Sequence, residues 1–143
     1  MYLIVDELKT SLTQTVTLTR EMWLKAIRID LYKHNISSGS IKVSIKDGAT
    51  EIGSKTLTMA FIEANVPVSN TYLHGMITFE LSNPVRLPKQ DYQIVMEGAG
   101  GYSFTSNSFV GWKKEYENRT NTPTDITVED LDSPHSFQLW SYQ

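Results

Sequence analysis

Residues 41–46 read Ile-Lys-Val-Ser-Ile-Lys, apolar and polar in strict alternation, and Asp47-Gly48 follows at once. Successive side chains of an extended chain point to opposite faces, so this pattern builds a half-buried strand rather than a helix. Asp-Gly is a strong tight-turn dipeptide and predicts a hairpin into Glu51 to Thr58. The same period recurs along most of the chain. Leu12, Val16 and Leu18 alternate with threonines. Ile27, Ile29 and Leu31 alternate with Arg28 and Asp30 inside Trp23 to Tyr32. Ile77, Phe79 and Leu81 mark another strand, Tyr92, Ile94 and Met96 the next. Tyr102 to Trp112 reads as extended, and Phe137 and Leu139 alternate with Gln138 and Trp140.

Clusters of turn formers separate these runs: Asn35 to Gly39, Asn83-Pro84, Gly98 to Gly101, and Asp132 to Pro134. Short strands at regular spacing predict an all-β fold of about eight to ten strands, in two antiparallel sheets packed as a sandwich. Helix-like material is limited to Thr58 to Asn65, where the spacing of Met59, Phe61 and Ile62 allows one or two turns, and a helix there is as much expected as not. The chain of 143 residues is the size of one domain, 1–143. Lys113 to Pro134 is its one long connection, a polar loop or arm with room for a short strand at Asp125 to Val128.

Composition closes several routes. There is no cysteine, which excludes a disulfide scaffold, a thiol nucleophile and a thiolate metal site. A net charge of −3 disfavours non-specific nucleic-acid binding. No apolar run approaches the length of a membrane-spanning helix, so no membrane partner is expected. The opening Met-Tyr-Leu-Ile-Val-Asp-Glu lacks a basic start and a long apolar stretch, so no secretory signal is expected.

The residues that usually carry chemistry are scattered. His34, His74 and His135 stand far apart without ligand spacing, so no metal is expected. No Gly-x-Ser-x-Gly elbow or Ser-x-x-Lys motif marks a nucleophile. Gly98-Ala99-Gly100-Gly101 lies between strands without a following helix or a Gly-Lys-Ser/Thr, which reads as a turn rather than a phosphate loop. The acidic stretch from Asp125 to Asp132 lacks the spacing of a calcium loop. No cofactor and no catalytic residue are therefore expected.

The aromatic residues are the candidate site. With Phe137 and Leu139 facing a core, Trp140 and Tyr142 face outward; Trp112 and Tyr116 border the long connection. Outward aromatics serve partner surfaces or sugar-stacking platforms, while a covering layer would turn them into core.

The order of segments resembles that of jelly-roll β-sandwich modules in phage and bacterial surface proteins, akin to carbohydrate-binding domains. The likeness rests on Trp23-Leu24-Lys25-Ala26-Ile27-Arg28-Ile29 and Gly39-Ser40-Ile41-Lys42-Val43-Ser44-Ile45. It continues through Gly75 to Leu81 and Asn83-Pro84-Val85-Arg86-Leu87 to Asp91-Tyr92-Gln93-Ile94-Val95-Met96, and closes at Ser136-Phe137-Gln138-Leu139-Trp140. These are fold-determining patterns with no catalytic motif among them. The resemblance implies a non-enzymatic bacteriophage virion protein, a capsid decoration or tail accessory assembled in the host cytoplasm. Its partners would be other virion proteins or copies of itself. The alternatives are a carbohydrate-binding or adhesin module at a cell surface, reading glycans, and a small jelly-roll enzyme.

Two further expectations are specific. Ile41, Val43, Ile45, Ile77, Phe79, Leu81, Ile94 and Phe137 should share one inter-sheet core. Glu115 to Gln143 holds six acids and one base, so it carries −5 while the rest carries +2. This asymmetry places the long connection and the last strand in or beside a partner surface.

Overall fold

A computed structural model describes residues 5–65, 73–114, 126–128, 135 and 137–141. It contains β1 (Val5–Glu7), β2 (Ser11–Leu18), β3 (Met22–His34), β4 (Ser40–Asp47), β5 (Thr50–Thr58), α1 (Met59–Asn65), β6 (Leu73–Leu87), β7 (Asp91–Ala99), β8 (Phe109–Lys113), β9 (Ile126–Val128) and β10 (Phe137–Ser141). The architecture is an antiparallel β-sandwich of two five-stranded sheets.

In the first sheet β3 is the spine. One edge pairs with β6 from Met22 to Lys33. The other edge is shared: β10 covers Leu24 to Ile29 and β8 covers Leu31 to His34. The short β1 lines the far side of β8. The second sheet runs β5-β4-β7-β2-β9. Asp47-Gly48 makes the expected hairpin between β4 and β5, with Asp47 opposite Thr50 and Gly48 at φ 63°.

All eight residues expected in the core are buried, and Val43 is fully enclosed while Lys42 and Lys46 reach solvent. The alternation of β4 therefore has its expected register. Trp112, Phe79, Phe137 and Tyr92 are the largest fully buried side chains between the sheets. The helical turns allowed within Thr58 to Asn65 form, as α1. Thr58 Oγ1 accepts a hydrogen bond from the Phe61 N–H (3.2 Å), capping the first turn, and Met59 and Ile62 anchor it in the core.

The structure corrects three expectations. Tyr102 to Trp112 is not one strand; only Phe109 onward joins a sheet. Thr105 and Ser108 bond each other through both backbone groups (3.0 and 3.1 Å), a tight reversal that removes them from any ladder. Asn83-Pro84 does not end a strand. Between Leu24↔Val85 and Ala26↔Glu80, β6 advances five residues while β3 advances two, so 81–84 form an extended bulge inside β6. Proline fits there because β6 pairs with β3 on one side alone among the described residues. Trp112 is the third correction. It is fully buried between the sheets, opposite Leu31 in β3, and offers no outward surface.

Most of the long connection lies outside the described residues. Within it, Ile126–Val128 is a strand that pairs with β2, as β9.

Candidate functional site

The outer face of the first sheet gathers the exposed aromatics. Trp140 (43% exposed) stands on β10 and Trp23 (48%) on β3. The register sets two adjacent rows across three strands: Glu80–Ala26–Trp140, and Thr78–Arg28–Gln138. Neighbouring strands are about 4.8 Å apart, so each row is a short line of side chains on a continuous surface.

Arg28 organises the second row. Its Nε–H donates to Thr78 Oγ1 (3.1 Å) and an Nη1–H to Gln138 Oε1 (3.3 Å), while the guanidinium lies 4.7 Å from the Trp140 ring centroid. The Trp140 Nε1–H donates to the same Gln138 oxygen at 3.0 Å. The indole is thus fixed by a hydrogen bond at its edge and a cation at one face, and part of the ring remains in water. A fixed aromatic loses little conformational entropy when a partner covers it.

Beyond β6 the surface drops into an open groove of ≈ 480 Å³, lined by Lys55, Leu57, Phe61, Thr78 and Glu80 among others. Phe61, 48% exposed on α1, forms its far wall.

The other half of the same face is filled by its own side chains. Tyr32 and His34 stack at 6.0 Å, and both tilt against Phe109, itself against Phe104. These contacts close that end of the sheet.

Of the four candidate residues, Trp140 is exposed on this face and Trp112 is core. Tyr116 and Tyr142 lie outside the described residues. Trp23 was missed, for a physical reason. It has the same parity as Ile27, Ile29 and Leu31, so alternation alone points it inward. A bulge at Lys25 between Leu24 and Ala26 inverts the parity, burying Met22 and Leu24 and turning Trp23 out.

The histidines divide as well. His135 is buried, with Nε2 2.8 Å from Asp6 Oδ2 and its ring 4.4 Å from that of Trp112. Among the described residues it meets one carboxylate, and no group of three or more metal-binding side chains occurs there. No described helix is long and apolar enough to cross a membrane. No protein-family model matches the chain, and no curated protein matches it either.

Proposed function

We propose that the chain is a non-enzymatic binding protein, an accessory that attaches to the capsid or tail lattice of a virion through the outer face of the first sheet. The observation that carries this reading is the placement of two exposed tryptophans, Trp23 and Trp140, on one open sheet face. Tryptophan and arginine are the side chains that most often dominate protein interfaces, and Arg28 lies against Trp140. The jelly-roll designation and the virion location belong to the same proposal and rest on the resemblance of segment order. Co-sedimentation with purified particles tests it. Trp140→Ala and Trp23→Ala should each lower occupancy at least tenfold while the free protein stays folded. Undiminished occupancy of the folded double variant would overturn the assignment of this face.

A second reading has its own observation. The Thr78–Arg28–Gln138 row sets hydrogen-bonding groups beside the immobilised Trp140 ring, an arrangement suited to a pyranose whose apolar face stacks while its hydroxyls bond. Glycan-array binding lost in both Trp140→Ala and Arg28→Ala would favour it over a protein lattice.

A further inference from the structure

Just ahead of β10, the buried His135 and Gln14 meet the half-buried Asp6 in a polar junction. The backbone N–H of His135 donates to Gln14 Oε1 at 2.9 Å, and His135 Nδ1 lies 2.7 Å from the same oxygen. Gln14 is fully inside, on the core face of β2, and its Nε2 donates to the Thr15 carbonyl (3.1 Å). These two backbone contacts fix the amide: a backbone N–H meets only an acceptor, and a backbone carbonyl only a donor. The atom facing Nδ1 is therefore oxygen, and Nδ1 must carry a proton. On the other side of the ring Nε2 faces Asp6 Oδ2 at 2.8 Å. A carboxylate offers only acceptors, so Nε2 carries a proton too. The Trp112 ring, 4.4 Å away, adds an aromatic surface that favours a cation.

We propose that Asp6, His135 and Gln14 form a proton-held clamp between the two sheets, complete when the His135 ring is an imidazolium. Asp6 belongs to β1 of the first sheet and Gln14 to β2 of the second. His135 stands just ahead of β10, bridged through its backbone to Lys114 at the end of β8. Loss of one ring proton leaves a bare nitrogen opposite either the Gln14 oxygen or the Asp6 carboxylate, lone pair against lone pair. Among the described residues the ionisable groups brought to His135 are Asp6 from β1 and, across the bridge, Lys114 from β8; β2 supplies the neutral Gln14. The clamp makes cohesion of the two sheets respond to pH near neutrality, where a free imidazole changes charge. A folded state that binds one proton more than the unfolded chain loses stability as pH rises, by up to tenfold in the folding equilibrium per pH unit.

Nitrogen-15 NMR of histidine-labelled protein tests this on the full chain. At pH 7 the His135 ring should show protons on both nitrogens. Asp6→Asn should convert it to a neutral ring protonated at Nδ1, because the asparagine amide can donate to Nε2. The unfolding midpoint of the natural protein should fall between pH 6 and 8.5, and Asp6→Asn should flatten that slope. A singly protonated His135 ring in the natural protein at pH 7 overturns the proposal even if the variant fails to fold. Equal slopes in two folded proteins overturn it as well.

Discussion

The Tyr102 hydroxyl donates to the Leu8 carbonyl at 2.7 Å, across 94 residues of sequence, and accepts the Val110 N–H at 3.0 Å. One side chain thus satisfies two backbone groups where the chain leaves β7 and enters β8. The hydroxyl is partly buried, and burial raises its pKa, partly opposed by the Val110 N–H.

Tyr102→Phe removes both bonds while keeping the ring, and leaves the Leu8 carbonyl and Val110 N–H short of partners. Unfolding in urea should show a loss of about 1–3 kcal/mol.

Ionisation of tyrosine gives an alkaline signature with a definite sign. Burial raises the pKa of Tyr92 as well, whose hydroxyl donates to the Pro88 carbonyl at 2.6 Å. Folded-state values above the unfolded one make the stabilisation complete below about pH 10 and lost as pH climbs beyond it. Thermal melts from pH 9 to 11 should show a falling midpoint, less steep in Tyr102→Phe.

Glycine at 39 is required twice over. Its φ is 93°, and a Cβ there would lie 2.7 Å from the Tyr102 Cα, a backbone atom that cannot step aside. At Gly48 φ is also positive, at 63°, but nothing lies within 4 Å. Gly39→Ala should therefore destabilise by more than about 2 kcal/mol and Gly48→Ala by about 1 kcal/mol, measured by denaturant midpoint.

The tryptophans should separate by role. Trp112→Ala empties a large part of the inter-sheet core and should cost about 3–5 kcal/mol, as should Phe79→Ala. Trp140→Ala forfeits a surface contact with Arg28 and should cost no more than about 1 kcal/mol. Calorimetry on the three variants ranks them directly.

Local pattern carried the sandwich. The parity of Ile41, Val43 and Ile45 and the Asp47-Gly48 turn were enough to orient β4 and β5, because a one-residue slip would bury Lys42 and Lys46. The surface site was less legible. Trp140 follows from the parity of Phe137 and Leu139, but Trp23 depends on a bulge whose position is set by pairing with β6. Trp112 is core because β8 lies beside β3 with Trp112 opposite Leu31, a juxtaposition that no local spacing encodes. One signal was present and unused: Gln14 falls at the inward parity of β2, between Leu12 and Val16, where a buried amide demands partners. One is the adjacent Thr15 carbonyl, but the other, the Asp6-linked His135, comes from 121 residues away.

Iodide quenching of tryptophan fluorescence tests the central claim most directly, with the protein free and then bound to purified virions. Single-tryptophan proteins retaining Trp23, Trp140 or Trp112 report each position, the others replaced by phenylalanine. The account predicts that Trp23 and Trp140 are quenched in the free protein and become protected on the particle, while Trp112 is shielded in both. Trp23 and Trp140 quenched equally in the free and particle-bound protein would contradict it.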